Sequence, residues 1–354
     1  MLIRTFPKSS ESFQSYVYRS ARANGWTNNR LTQFLRLEVA PLYSYKAEDR
    51  QKIRDWLSNV SGHTEVAALT DVWIFYNDFK EYFDFARIKL CPSCYSDSGG
   101  AIPAYWYLRS YLSCLKHKKL LTDVCTCCDE KLTAETVIAG RCLNCHNDIV
   151  SFDTDLAKPD IYSEKAYEVL YKCNTHEVFS AEVEHSYIPL LRSINILAPL
   201  TGLAAEIGYK YKQRRFLSIK QLHQYQLACS VLYQDCEKLT ECLAEIVNEH
   251  VDAGSTNLGV IFLRQAKELE DINSHFFVHA VRNLVVSGKL VHEELIATLS
   301  WIARLFEYDE TTFAQHVEKE YSSLIKRRPR ENIPVIHVPE IISRFESKNG
   351  YRTK

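Results

Sequence analysis

Eight of the nine cysteine and histidine residues between Cys91 and Cys145 fall into four close pairs. They read Cys91-Pro-Ser-Cys94, Cys114-Leu-Lys-His117, Cys125-Thr-Cys-Cys128 and Cys142-Leu-Asn-Cys145. Two ligands separated by two residues form a knuckle that spans one edge of a tetrahedron. Two knuckles close that tetrahedron around zinc, whose borderline-soft character suits thiolate and imidazole. Four knuckles therefore predict two structural zinc ions per chain. Sequential pairing gives Cys91, Cys94, Cys114 and His117 for the first site, and Cys125, Cys128, Cys142 and Cys145 for the second. In the third knuckle Cys127 is the alternative to Cys125. A site closed by four protein ligands keeps no position open for substrate. The metal is expected to build the fold, and the chain is expected to be an adaptor and not an enzyme.

The remaining composition is that of a folded chain: 46% hydrophobic and 25% charged over 354 residues, enough for two or three domains. Twelve cysteines would suit a disulfide scaffold only in a much shorter chain. Here eight stand at metal spacing, which fits a reducing compartment. Met1-Leu-Ile-Arg-Thr lacks the long apolar core and cleavage site of a signal peptide, so a cytoplasmic protein is expected. The longest charge-free apolar stretch, Ser193 to Ala205, contains Pro199 and is too short to span a bilayer. No membrane association is expected.

Net charge is −1, so no global field draws the chain onto nucleic acid. Local basic runs are the candidates for such contact. Lys210, Lys212, Arg214 and Arg215 form one run, and Lys326, Arg327, Arg328 and Arg330 the other. Two solvated surfaces account for the same residues equally well.

Hydrophobic periodicity predicts a mainly α fold in four parts. Residues 1–88 read as a helical domain of helix-turn-helix type. Phe13, Tyr16 and Val17 share one face, and Asn24-Gly25 ends that helix. Thr27 is placed to cap a second helix carrying Leu31, Phe34 and Leu35. A third spans about Ala47 to Val60 with Ile53, Trp56, Leu57 and Val60 inward, and Thr64 is placed to cap a short one carrying Val66 and Leu69. Residues 89–150 form the double zinc-knuckle, ribbon-like module. Its Tyr105-Trp106-Tyr107-Leu108 and Tyr111 are expected to seal a small metal core against a neighbour, and Lys131 to Arg141 reads as a short ribbon. Residues 151–205 are a connector, and 206–354 a helical carboxyl-terminal domain with helix-turn-helix elements. There Leu217 to Val247 is one helical run, and Val278 to Leu290 resembles a recognition helix closed by a glycine turn. A helix with Leu295, Leu299, Ile302 and Leu305 follows, then a basic loop from Lys326 to Arg330 and a last helix from Pro339 to Phe345.

Enzyme motifs fare poorly. His63-Thr-Glu65 followed by Cys91 and Cys94 resembles a zinc deaminase, but Leu90 stands where a proline is expected, and Cys114 and His117 would be stranded. A redox role for Cys91 and Cys94 fails on the same crowding of knuckles. No phosphate-binding glycine loop or Gly-x-Ser-x-Gly elbow is present. Cys173, Cys229, Cys236 and Cys242 stand in helical context and read as buried free thiols, and His176 gives Cys173 no second knuckle.

Several of these features together resemble the TniQ family, whose larger relatives include TnsD. They are Phe6-Pro7-Lys8 through Glu11-Ser12-Phe13, the helix stop at Asn24-Gly25, Cys91-Pro-Ser-Cys94, Tyr105-Trp106, Cys114-Leu-Lys-His117, Leu120 and the Cys125/Cys128 pair. The resemblance covers about residues 5 to 150 and is nearest to TniQ of type I-F CRISPR-associated transposons. It implies a bacterial target-selection adaptor that forms a head-to-tail homodimer. Such a dimer docks on the RNA-guided Cascade complex of Cas proteins and crRNA, and helps recruit the AAA+ regulator TnsC. Target DNA would then be touched indirectly or weakly. The competing expectation is a TnsD-type protein that binds an attachment sequence directly, through base-edge readout.

Overall fold

The computed structural model describes residues 4–8, 11–27, 30, 33, 46–69, 71–72, 82–84, 87–172, 187–197, 217–254, 275–286, 296–305, 309–327 and 334–338. The fold is mainly helical. The chain divides into two compact units, one of residues 1–188 with 213–227 and one of residues 189–212 with 228–354.

The first unit begins with α1, Phe13–Ala23. Ser12 caps it by accepting from Ser15 N–H, and its apolar positions Phe13, Tyr16 and Val17 are buried. Asn24 ends it and Gly25 takes φ +62°. Thr27 Oγ1 accepts from Arg30 N–H at 3.2 Å, as a helix cap would. The positions Leu31, Phe34 and Leu35 lie outside the described residues. Helix α2, Ala47–Ser61, buries Ile53 and Leu57 and leaves Trp56 half-buried. Gly62 closes it in the left-handed region, as its lack of Cβ allows. The short turn after it is a 3-10 helix, Thr64–Ala68, and its cap position is His63, not Thr64. Val66 is buried there.

The amino-terminal helices and the cysteine-rich segment share one core. Ser12 N–H and Oγ both donate to Ile102 O at 3.0 Å, and Ile102 N–H donates to Ser15 Oγ at 2.7 Å. Glu11, buried beneath this crossing, takes a two-pronged pair of bonds from Arg19 at 2.7 Å. The aromatic stripe does pack as core. Trp106 is 1% exposed in a 3-10 turn, Ala104–Tyr107, and Tyr107, Leu108 and Tyr111 are buried beside it. Tyr105 stacks edge-on against Tyr111 and Tyr167, the latter on the α-helix Ile161–Lys172.

Between Lys131 and Arg141 the expected ribbon is a helix. Thr133 and Thr136 form a reciprocal capping box, and Gly140 closes Ala134–Ala139 at φ +71°. Only the flanks keep bridge pairing, Val124 with Lys131 and Arg141 with Asp148. We number the helices of this unit α3 for Pro92–Asp97, α4 for Ala134–Ala139 and α5 for Ile161–Lys172. A two-stranded antiparallel pair, β1 Ser113–Cys114 and β2 Lys119–Leu120, lies between α3 and α4 in the chain. Helix α6 is Ile188–Leu197.

The run from Leu217 to Val247 is two helices, α7 Ile219–Gln234 and α8 Cys236–Asp252. Asp235 separates them because its carboxylate caps α8 at Lys238 N–H. In the second unit α8 packs on α9, His275–Val286, with Leu239, Leu243 and Val247 buried on one and Ala280, Val281 and Leu284 on the other. The glycine turn expected after α9 lies outside the described residues.

Sequence periodicity missed the sheet that follows. Ile296–Thr298 is strand β3, and Thr298 Oγ1 caps α10, Leu299–Leu305, by accepting from Trp301 N–H. Helix α11 is Glu310–Glu320. Strands β4, Ile325–Arg327, and β5, Pro334–His337, complete a three-stranded antiparallel sheet in the order β3-β5-β4. Three helices and three strands in the order α9-β3-α10-α11-β4-β5, with the last strand central, make a winged helix. The apolar face of α9 is committed to α8. The expected basic loop starts as strand: Lys326 pairs with Val335 and Arg327 with Pro334.

Candidate metal centres

All eight predicted ligands come together as two separate groups. In each, the four ligand atoms lie within 4.8 Å of one another. In the first, Cys94 Sγ stands 3.5 Å from Cys114 Sγ, and His117 Nδ1 stands 3.1 Å from Cys94, 3.5 Å from Cys91 and 3.6 Å from Cys114. In the second, Cys125–Cys145 and Cys128–Cys142 are 3.5 and 3.6 Å apart. A tetrahedron with metal–sulfur bonds of about 2.3 Å has edges of about 3.8 Å, or about 3.5 Å where one corner is an imidazole nitrogen. The observed spacings fit that figure. Cys125 belongs to the second group, whereas Cys127 is exposed and outside it.

Local backbone geometry explains why these pairs converge. In three knuckles the residue after the second ligand has a positive φ without being glycine: Lys118 at 52°, Asp129 at 57° and His146 at 60°. In each, that residue's N–H donates back to the first ligand's carbonyl: Lys118 to Cys114, Asp129 to Cys125 and His146 to Cys142. The turn then folds under the first ligand. Cys125 N–H donates to Glu130 O, Cys142 N–H to Asn147 O, and Cys114 pairs with Lys119 across β1 and β2. The first knuckle is built differently. Cys91 is the cap residue of α3, and Pro92 starts the helix that carries Cys94.

The close approach of the ligand atoms suits a cation. Hydrogen bonds from Cys114 and Cys94 hold the Cys91 thiol far below its ordinary range. The converse bonds from Cys114 and Cys91 push Cys94 up, and the bond to Cys91 pushes Cys114 up. Thiols this close cannot all ionise alone. A bound divalent cation removes the conflict, because a coordinating thiol is deprotonated outright.

Three supporting residues were not visible as such in the sequence. Asp97 Oδ2 accepts from His117 Nε2 at 3.3 Å, which turns Nδ1 toward the thiols, and Lys116 Nζ holds the same carboxylate at 2.5 Å. Lys116 keeps the Asp97 carboxyl below the usual carboxylate range. Only the three-dimensional turn of α3 brings Asp97 to His117. Asp97→Asn is expected to weaken the first site for metal by about 10- to 100-fold, the usual cost of losing an outer-shell carboxylate, with the second site unchanged. Chelator competition read site by site checks this.

Lys89 is buried and donates from Nζ to Leu108 O at 2.5 Å and Tyr111 O at 3.0 Å, pinning the loop between the first two knuckles. Burial lowers its pKa to about 7. Asp160 caps α5 by accepting from Ser163 N–H at 2.8 Å, and takes the hydroxyls of Ser163 and Ser113 at 2.8 and 3.1 Å. With His223 3.6 Å away this set has the residue types of a hydrolase triad. It lacks the geometry. Both hydroxyls donate straight to the carboxylate, His223 Nε2 bonds to Lys158 O at 2.9 Å, and all members are buried. The set clamps the strand leading to Cys114 onto α5.

The deaminase arrangement is also absent from this geometry. Cys91 and Cys94 complete their group with Cys114 and His117, while the His63 ring stacks on Phe6 at 4.2 Å. Of the candidate nucleic-acid contacts, Lys210, Lys212, Arg214, Arg215, Arg328 and Arg330 lie outside the described residues. Lys326 and Arg327 are on β4. Cys229 is buried as expected, but Cys236 and Cys242 are half-buried. Cys173 and His176 lie outside the described residues. No helix among the described residues is long and apolar enough to cross a membrane.

No curated protein matches the chain. A family model described as TniQ matches residues 2–121, a span that holds α1, α2 and the whole first metal group. Residues 2–121 of this chain thus match a TniQ domain.

Proposed function

We propose that the chain is a target-selection adaptor of transposition, built around two structural zinc ions held by Cys91, Cys94, Cys114, His117 and by Cys125, Cys128, Cys142, Cys145. In the bacterial cytoplasm it forms a homodimer, docks on an RNA-guided Cascade complex and helps recruit a TnsC-type AAA+ regulator. The observation that carries this reading is the TniQ domain itself, whose metal group offers four protein ligands and so needs no substrate to complete it. The chain is then a rigid platform for partners and does no chemistry of its own.

The winged helix favours a second reading, direct recognition of an attachment sequence. Its charges weigh against that. Helix α11 carries Glu310, Glu318 and Glu320 against Lys319, with Glu318 and Glu320 exposed. An acidic helix repels the phosphates that a recognition helix must approach.

Co-purification with Cascade and a duplex titration at two salt concentrations separate the two. The adaptor is expected to co-purify with Cascade as two copies. Its affinity for free duplex is expected to be indifferent to sequence, with a dissociation constant of about 10⁻⁴ to 10⁻⁶ M at physiological salt. Failure to co-purify, with one duplex preferred roughly a thousandfold and no guide RNA present, would give the assignment to the attachment-site reader.

A further inference from the structure

Outside the metal groups, among the described residues, a thiol stands beside an imidazole. Cys236 is the first residue of α8, and its Sγ lies 3.5 Å from Nδ1 of His279 on α9. Asn283, one turn further along α9, places Nδ2 3.5 Å from that Sγ and 3.1 Å from the same Nδ1. An amide nitrogen can only donate. Its contact therefore makes His279 Nδ1 an acceptor and puts the ring proton on Nε2, so that the amide and the thiol share the one basic nitrogen. Thr240 Oγ1 braces the pair by donating to Cys236 O at 2.7 Å, and it lies 3.4 Å from Ala280 O on the facing helix. His279 is exposed and Cys236 half-buried.

A nucleophile, a base within hydrogen-bond reach and a third group that fixes the base's tautomer are parts from which a thiol is activated. Cys229 is fully buried. On the same helix, burial followed by Glu245 and Glu249 pushes the Cys242 thiol up. Cys127 is exposed, but no imidazole among the described residues lies within hydrogen-bond distance of it.

We propose that Cys236, with His279 as its base, is a covalent modification site for low-molecular-weight disulfides. The Cys236 proton passes to His279 Nδ1 and the sulfur attacks one sulfur of the disulfide. A new S–S bond forms as the old one breaks, and the departing thiolate takes the proton from His279. The Cys236 sulfur is oxidised and the leaving half is reduced to a thiol, so the disulfide itself is the oxidant.

The test uses the full, metal-loaded chain with glutathione disulfide, followed by intact mass and peptide mapping over time. Cys236 is expected to acquire the first adduct, on the order of tenfold faster than Cys127, although Cys127 is the more exposed. This comparison lies within the unaltered chain and needs no variant to fold. His279→Gln is expected to slow the Cys236 adduct on the order of tenfold with the far-ultraviolet spectrum unchanged, and Cys127→Ser to leave it unaffected. Labelling of Cys127 as fast as Cys236, or an unchanged Cys236 rate in His279→Gln, would overturn the assignment.

Discussion

Replacing Cys114 with alanine is expected to cost one metal ion per chain and to unfold the first metal group with everything tied to it. Apparent binding free energies of structural zinc in small modules run to about 10–16 kcal/mol at neutral pH, and much of that is folding energy. The loss cannot stay local. Ile102, between the first two knuckles, holds both Ser12 and Ser15 of α1, and Lys89 pins the Leu108 and Tyr111 carbonyls. Residues 89–120 should melt and α1 should lose its anchor. Elemental analysis is expected to fall from two zinc ions to one, with new protease cleavage in that span. A variant that keeps two ions and the parent's melting curve would refute the ligand assignment. Excess chelator is expected to go further and open both groups.

The second large effect is expected at Trp106. Its indole is 1% exposed, in the turn that packs on α5. Truncating a buried aromatic to alanine removes its transfer free energy and leaves a cavity, typically about 3–5 kcal/mol together. Trp106→Ala should therefore lower the denaturant midpoint while the chain keeps both metal ions, because no ligand is touched. A loss below about 1 kcal/mol, the scale of an ordinary surface change, would show that the stripe does not seal the core.

These two predictions rest on features of different visibility. Ligand spacing was legible because a knuckle is a local object: two ligands, two residues between, one turn. The helix end marked by Asn24-Gly25 was legible for the same reason. Positions whose meaning comes from distant partners were not. Asp97 is one acidic residue among many until α3 turns it to His117, and Asp160 gains its role only when Ser113 and His223 converge on it. The carboxyl-terminal sheet escaped because its strands are three or four residues long, too short for alternation to show. The helix at Ala134–Ala139 was misread as ribbon because Gly140 signals a turn in either case. Thr133 and Thr136, as a reciprocal cap, decide between them.

Helix α1 packs against α4, and the two are joined through Arg22, whose Nη1 donates to Tyr95 Oη while Tyr95 Oη donates to Val137 O. The guanidinium lies so close over Gly140 that a Cβ there would meet it at 2.4 Å. The ribosome releases these parts in the opposite order to their need. α1 emerges early, yet the surface that covers it exists only after Ala134–Ala139 has been made. Until then the amino-terminal face of the nascent chain stays open to chaperones and proteases. If the groups hold zinc as proposed, its supply during translation sets how long that exposure lasts.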